Sequence, residues 1–440
     1  MKSLVVLGAG ESGVGAALLG KSKGYKVFVS DGSKIADQFR QELIDASIDF
    51  EEEGHTIENI KGADVLIKSP GIPDDVALIK ELVAFGLDPI SEIEFAFQYN
   101  STKIIAITGS NGKTTTTALI HHLIEGSNIE SKIGGNYGIS FARLLLGEDT
   151  PDIFVLEISS FQLDGIRTFR PDVSLILNIT PDHLDRYEYK MELYAASKFR
   201  IALNQRQPDL LILNQDQQIC NEGNHKMLTE RKGDIPFIRQ VSPGRAISTI
   251  GNFSQTEFVE IENPVLQSVH NLYNAQCAIL AAEYAGVPLD HIRKRLESFE
   301  GMEHRMEIVR KKDGVLFIND TKATNVDATL QALRSMDDRV IWIVGGTDKG
   351  NEYDQLAPLV KTLVKGMICL GIDNENIKAA FEGIVPHIEE TKDVNQAVQS
   401  AFRLAEGGGV VLLSPACASF DLFKNYIDRG NQFKAAVQAL

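Results

Sequence analysis

An α/β chain in three successive units is what the sequence predicts, and three observations predict it. Short β-branched apolar runs recur along all 440 residues, most of them followed by a glycine-rich or polar turn and a helix-forming stretch. Two of the turns are glycine loops of the kind that cradle phosphates, GAGESG at 8–13 and TGSNGKT at 108–114. The last third of the chain repeats the strand-then-polar-turn pattern with separate helices between. A Rossmann-like N-terminal domain at 1–93, a P-loop-type central domain with a mostly parallel sheet at 94–301, and a Rossmann-like C-terminal domain at 302–440 are therefore expected.

Composition narrows the class. Hydrophobic residues make up 43% and charged residues 24%, an ordinary globular balance. The net charge of −16 and the lack of a Lys/Arg block argue against nucleic acid as a partner. Cys220, Cys277, Cys369 and Cys417 are far apart and form no CxxC pair, which reads as free thiols in a reducing compartment. Four apolar residues before the first glycine are too few for a signal peptide, and no apolar stretch approaches a membrane span, so a cytoplasmic location is expected.

In the first unit, Leu4–Leu7 is a strand that runs into Gly8–Gly13 and an Ala/Leu-rich helix to about Lys23; Lys26–Ser30 is a second strand ending in Asp31. That matches a dinucleotide-binding fingerprint, with NAD as the default ligand. The same glycines equally suit the diphosphate of a UDP-sugar, with Asp31 accepting from the ligand, or close helix–strand packing with no ligand. A third strand, Val65–Lys68, leads into the rigid turn Ser69-Pro70-Gly71-Ile72-Pro73 at a strand's C-terminal end, where ligands of open sheets lie. A helical segment, Ile93–Phe97, leads out.

The second unit is organised around Ile104–Thr117, IIAITGSNGKTTTT. A buried strand, a glycine loop (Gly109, Ser110, Asn111, Gly112) and a helix opening at Lys113-Thr114-Thr115 build a phosphate site from backbone N–H groups and a helix N-terminus. Lys113 would reach the β- and γ-phosphates and the Thr114 hydroxyl would ligate Mg²⁺. Hydrogen bonds to charged groups contribute about 1.5–3 kcal/mol each. The loop is a variant: Gly109 leaves two residues before Gly112-Lys113, and Ile107 stands where the general pattern has its first glycine. Gly134–Gly138 is a turn-rich cluster. Ile153–Leu156 is a strand ending in Glu157, a hard anion suited to Mg²⁺, or alternatively a helix-capping acid. Val173–Asn178 leads to Thr180-Pro181-Asp182-His183-Leu184-Asp185, where metal ligation and a structural histidine both remain open, since Mg²⁺ prefers oxygen. Lys198 sits on a helix, and its own context suggests only a solvated lysine. Strands at Leu210–Leu213, Phe237–Gln240 and Ala246–Ile250 follow, then a helix from His270-Asn271 to Gly286 and a hinge-like Gly301.

The third unit has strands at Val315–Ile318, Val340–Val344, Met367–Leu370 and Val410–Leu413. The segments after them, NDTKATN, GGTDKG and SPACASF, fall on one edge of a sheet and place Lys322, Lys349 and Ser419 where carboxylates could be held.

TGSNGKTTT, the Glu157 strand, TPDHLDRY, HN at 270–271, EHR at 303–305, NDTKATN, GGTDKG and SPACASFDLFKNYIDRG occur in this order, and together they resemble the Mur ligases over the whole chain. The last motif with the Rossmann-like start resembles the D-glutamate-adding branch. The resemblance implies UDP-substrate, ATPase and amino-acid domains. It implies that Ser12, Asp31, Ser69 and Gly71 contact the UDP-sugar and Asn136 its diphosphate; the family's usual hydroxyl and basic residues after Asp31 are Gly32 and Ser33 here. It implies ATP on Gly109–Thr115, with Asn271, Arg305 and Asp320 at adenine, phosphates and ribose. Mg²⁺, two ions, would be held by Thr114, Glu157, His183 and Lys198, the last as a carbamate that turns an ammonium into an anion. D-Glutamate would lie on Lys322, Thr324, Lys349, Ser419, Phe420 and Tyr426.

The implied enzyme is an ATP-dependent acid–amino-acid ligase of peptidoglycan precursor synthesis, with small-molecule substrates UDP-N-acetylmuramoyl-L-alanine and D-glutamate, no NAD, no nucleic acid, no membrane span, and a monomeric state. The alternative is a sister Mur ligase, or a folylpolyglutamate-synthase-like amide ligase, that adds a different amino acid. A nicotinamide-dependent oxidoreductase would leave the Lys113 loop unexplained.

Overall fold

In the computed structural model of the chain, which describes residues 1–147, 149–214, 216–220, 222, 237–241, 248–250, 257–259, 261–336, 339–348 and 350–440, four parallel strands come first. β1 (Ser3–Leu7), β2 (Lys26–Ser30), β3 (Asp49–Glu51) and β4 (Val65–Lys68) form a sheet in the order β3-β2-β1-β4. β1 is apolar on both faces because helices cover both, as parallel sheets require. All four strands end at one edge, so the loops after them share it.

The chain divides into two compact units, Met1–Phe299 and Glu300–Leu440. Within the first unit a second sheet is wholly parallel. It comprises β5 (Lys103–Thr108), β6 (Ser131–Gly135), β7 (Ile153–Glu157), β8 (Val173–Ile176), β9 (Leu210–Asn214) and β10 (Phe237–Val241), in the order β10-β9-β8-β5-β7-β6. One core is continuous from Leu4, Val6 and Val14 of the first sheet layer to Phe141, Phe154 and Leu156 of the second. The connecting helix Glu92–Phe97 is pinned by two buried carboxylates. Glu94 accepts from the backbone N–H groups of Arg167, Thr168 and Phe169 and from the Thr168 hydroxyl. Glu92 accepts from Ala142 N–H at 2.5 Å. On the other face, the helix Val269–Ala285, capped by Ser268, packs on the helix Lys113–Ile124. β11 (Ser248–Ile250) and β12 (Glu257–Val259) form an antiparallel pair.

The second unit is a six-stranded sheet of β13 (Glu307–Lys312), β14 (Val315–Asn319), β15 (Val340–Val344), β16 (Val364–Leu370), β17 (Ile388–Thr391) and β18 (Gly409–Leu413), in the order β13-β14-β18-β15-β16-β17. Only β13 runs antiparallel. Trp342 packs edge-on to Phe381 on one face, and Phe317 and Phe433 fill the other.

The expected strands recur within a residue or two, except that β16 starts at Val364, three residues before the expected Met367, and there are two further differences. The strand expected through Asn178 ends at Ile176: Leu177 N–H to Thr108 O is the last rung of the ladder, and beyond it the Asn178 carbonyl accepts from Ser110 N–H as the chain enters the loop. Gly134 and Gly135, expected in a turn, close β6, and the turn begins at Asn136. Of the strand expected at Ala246–Ile250, residues 246 and 247 lie outside the described residues. Among the described residues no helix is long and apolar enough to cross a membrane, and all four cysteines are buried free thiols.

Candidate active site

In the first unit, the loop from β5 to the helix Lys113–Ile124 lies at the C-terminal edge of the sheet between β8 and β7. Gly112 has φ +84°, a conformation that suits glycine, and a Cβ there would come 2.8 Å from Asn274 Oδ1. The glycine is thus required twice, by its own dihedral and by the helix packed behind it. Asn178 fixes the loop tip: its Oδ1 accepts from Asn111 N–H at 2.8 Å and its Nδ2 donates to Asn111 O at 2.9 Å. With the Ser110 and Asn111 amides committed to Asn178, a phosphate at this loop would meet its backbone donors at the start of the helix that opens at Lys113.

Lys113 Nζ donates to the Gly109 and Ser110 carbonyls at 2.8 and 2.9 Å. Lys198 Nζ donates to the same Gly109 carbonyl at 2.9 Å. Lys198 is only 1% exposed, so the reading of a solvated lysine fails. Burial first, and the neighbouring Lys113 ammonium second, push its amine well below the usual lysine range, against the pull of Asp182, Asp164 and Glu157. Its ammonium also lies 4.4 Å from the Tyr194 ring centroid.

Thr114 Oγ1 donates to Glu157 Oε2 at 2.7 Å, and Asn136 Nδ2 donates to Glu157 Oε1 at 2.9 Å. The three residues come from three neighbouring strand ends, so the expected pairing of loop threonine and strand-end acid is present, with Asn136 joined to it. His183 stands apart in character. It has φ +51°, is half exposed, lies edge-on to Phe161, and its Nε2 is 3.5 Å from Asp182 Oδ2. Among the described residues no three His, Cys, Asp or Glu side chains converge as a finished metal cage. Thr114 and Glu157 are nonetheless two hard oxygen donors at a phosphate loop, and Mg²⁺ at such sites takes one or two protein ligands and completes its shell with phosphate oxygens and water. The residues present fit that ion. Asn271 lies in the first turn of its helix, where its Nδ2 donates to Val265 O at 3.0 Å.

At the first sheet's edge, Asp31 is bound up with the loops: Oδ2 accepts from Ala9 N–H at 2.7 Å and Oδ1 from Ser33 N–H at 2.8 Å. Ser69 Oγ donates to Gly8 O at 3.3 Å. Ser12 lies in the first turn of the following helix, Glu11–Ser22, and Gly71 in the turn after β4. Arg186 joins the two sheets' loops, donating to Ile72 O at 3.2 Å while lying over the Phe161 ring.

The second unit gathers its own set. Asp320 is buried; its Oδ2 accepts from the Ser414 hydroxyl at 2.9 Å and its Oδ1 from Met306 N–H at 3.2 Å, which draws the Arg305 turn against it. Burial pushes its carboxyl up to about 7 despite those bonds and the nearby Arg305. Lys322 Nζ lies 3.8 Å from the Tyr426 ring centroid. Thr324 is exposed two residues on, Ser419 is buried, and Phe420 projects with 69% exposure. Lys349 lies outside the described residues.

Sequence reasoning missed the residue that ties these segments together. Arg429 is fully buried and donates to Thr321 Oγ1 and O, Cys417 O and Gly345 O, one partner on each loop after β14, β18 and β15. Burial lowers its guanidinium to about 10. It lies inside the last motif, NYIDRG, but nothing in the local sequence marks it as buried.

Three family models match the chain. They are a MurD N-terminal domain at residues 3–78, a Mur ligase middle domain at 107–282, and a Mur ligase glutamate ligase domain at 304–417. A protein of Christiangramia forsetii named UDP-N-acetylmuramoylalanine–D-glutamate ligase is 48% identical, with all of both chains covered, and one of the same name from Bacteroides fragilis is 44% identical, also with all of both chains covered. Among solved structures, MurF ligase from Thermotoga maritima, in complex with ADP, has the same fold at a TM-score of 0.61 and 16% identity, over 94% of this chain and 95% of that one.

Proposed function

The chain belongs to the Mur ligases, and from that premise we propose that it couples ATP cleavage to the joining of D-glutamate to UDP-N-acetylmuramoyl-L-alanine, a step in making the peptidoglycan precursor. Its relatives of that name cover the whole chain at up to 48% identity. The observation in the site that supports the chemistry best is the Thr114–Glu157 hydrogen bond behind Lys113, a phosphate loop already joined to a metal-ready acid.

The substrate's alanyl carboxylate is a poor electrophile. It attacks the γ-phosphorus of ATP, the β,γ-bridging bond breaks, and ADP leaves an acyl phosphate. Lys113 swings from its carbonyl partners to the β- and γ-phosphates and offsets the charge that builds there. Thr114, Glu157 and His183 would hold Mg²⁺, which supplies further charge neutralisation when bound. Lys198 suits the carbamate role: a buried amine held below the usual lysine range is neutral in a larger fraction, and its nitrogen can add to carbon dioxide with release of one proton. The resulting anion would serve the second Mg²⁺.

In the second unit, Arg305 and Asp320 serve the nucleotide, and Lys322, Thr324, Ser419 and Tyr426 hold D-glutamate. Its amine attacks the acyl carbon, a tetrahedral intermediate collapses, and phosphate leaves with the new amide formed. A monomer in the cytoplasm suffices for this chemistry.

Replacing Lys113 by Ala is expected to cut D-glutamate-dependent ADP release by about 10²–10³-fold, the scale for removing one charge-stabilising donor, while the melting temperature holds. Near-normal turnover in that variant would remove the loop from the mechanism. An amino-acid panel run with UDP-N-acetylmuramoyl-L-alanine distinguishes this ligase from a sister enzyme: phosphate release must depend on D-glutamate.

A further inference from the structure

Two segments that the functional reading sets on one substrate meet at a single side chain of the first unit. The turn at 69–73 follows β4, and the loop at 180–187 follows β8. Arg186 stands in the short 3₁₀ helix Leu184–Tyr187 that closes this loop, and its backbone N–H donates to His183 O at 3.0 Å. Its Nη2 donates to Ile72 O at 3.2 Å and to Pro70 O at 3.5 Å, the carbonyls of the two residues that flank Gly71. Lys68 Nζ donates to the same Ile72 carbonyl at 2.7 Å. Both of these Arg186 side-chain bonds go to carbonyls rather than to an acid.

The guanidinium also lies over the Phe161 ring, 4.4 Å from its centroid. Phe161 belongs to the helix Ser160–Asp164. His183 meets the same ring edge-on, with centroids 5.2 Å apart, and Tyr187 lies nearly parallel to it at 6.1 Å. Tyr187 OH donates to Asp164 Oδ2 at 2.9 Å and so ties the loop to that helix. Three side chains of one loop thus gather on one ring. His183 needs such a support. Its side chain is 56% exposed, its backbone is left-handed at φ +51°, and its Nε2 stands 3.5 Å from Asp182 Oδ2. A ligating histidine is ordinarily aimed by hydrogen bonds to outer partners. Here the Phe161 ring aims it by packing, and Arg186 packs on that ring.

We infer that Arg186 is a positioning residue that puts the Gly71 turn and the His183 loop into one frame. Its donors fix the turn. Its planar face fixes Phe161 and, through Phe161, His183. A guanidinium does both, whereas a lysine ammonium can reach a carbonyl but has no plane to stack. The two tasks serve different ends of one substrate: the turn meets the UDP-sugar, and His183 stands where the carboxyl end reacts. A slip of about 1 Å between them misaligns the reacting atoms and costs about 10²-fold in rate. The Lys113 loop is outside this frame, because Asn178 holds it. The inference rests on the reading of the chain as a ligase that acts on the UDP-substrate.

The test uses the full-length protein and two readouts: Kd for UDP-N-acetylmuramoyl-L-alanine, measured by calorimetry without ATP or metal, and kcat for D-glutamate-dependent ADP release. Arg186→Ala loses both contacts, so Kd should rise about tenfold and kcat should fall about 10–100-fold, with KM for ATP unchanged. Arg186→Lys and Phe161→Leu lose the stacked contact alone, and they are the variants to read if Arg186→Ala melts. Each should keep Kd near that of the unaltered protein and lower kcat about tenfold or more, a split that a general loss of stability would not produce. In the Phe161→Leu background, adding Arg186→Lys should change kcat by less than about twofold, the scatter of independent sites. An unchanged Kd or kcat in folded Arg186→Ala overturns the inference, as does an unchanged kcat in Phe161→Leu or additive losses in the double variant. In those cases turnover of the unaltered protein leaves the functional reading standing, whereas an unaltered protein that neither binds the UDP-substrate nor turns it over would end both.

Discussion

Asp320→Asn should make the second unit more stable, and increasingly so as pH rises. The folded carboxyl titrates near 7 against an ordinary 3.8, chiefly through burial. A raised carboxyl proton affinity costs nothing below about 3.8, where both folded and unfolded forms are protonated. The cost grows as pH climbs through the interval and levels off above about 7. At about 1.4 kcal/mol per tenfold the full cost is about 4 kcal/mol, of which about 2–3 kcal/mol is incurred between pH 5 and 8. Asparagine fits the same bonds. Its Oδ1 accepts from Met306 N–H, and its Nδ2 donates to Ser414 Oγ, whose proton can remain with Thr329 Oγ1 at 3.1 Å. The chain has one tryptophan, Trp342, buried in this unit with Nε1 donating to Ser414 O at 2.7 Å, so its fluorescence follows this unit's unfolding. The variant's gain in melting midpoint over the unaltered protein should be about 10 °C larger at pH 8 than at pH 5. An equal gain at both pH values, or a loss at pH 8, would refute the account. If Asp320 serves the ATP ribose, the more stable variant is also the poorer enzyme, with KM for ATP raised.

Gly112→Ala should cost about 1–2 kcal/mol for the left-handed backbone and more for displacing Asn274, read as a lower melting temperature and a higher KM for ATP; adding Asn274→Ala should recover the steric share only. Glu94→Ala strands three backbone N–H groups at about 1–3 kcal/mol each before relaxation; calorimetry should show the first unit's transition lowered by about 10 °C, with the Trp342 transition unmoved.

The sheets were legible because parallel strands buried on both faces read as unbroken apolar runs: IIAIT, IFVLE, VIWIV and VVLL each fall where a strand was expected. The strands that escaped notice are β3 (DFE), β6 (SKIGG), β12 (EFV), β13 (EIVRKK) and β17 (IEET), each short or at a sheet edge, where polar residues are tolerated. The phosphate loop could be read because its parts are contiguous. Lys198 could not: its partner Gly109 is 89 residues away, and a lysine in AASKFR gives no sign of being interior. Asn178 and Arg429 were hidden for the same reason, since each acts on loops brought to it by sheet order.

Arg429 has a consequence for how amino-acid preference could change in this lineage. One cation anchors the bases of three separate loops, so they shift together or not at all, and a substitution at any base disturbs the other two. If these loops hold the amino acid, as proposed, selectivity is free to drift at the tips beyond the anchor, at positions such as Thr324 and Phe420, which are exposed. A search for variants that accept a different amino acid would find its tolerated changes there, and dead or unfolded protein among changes to Thr321, Gly345 or Cys417.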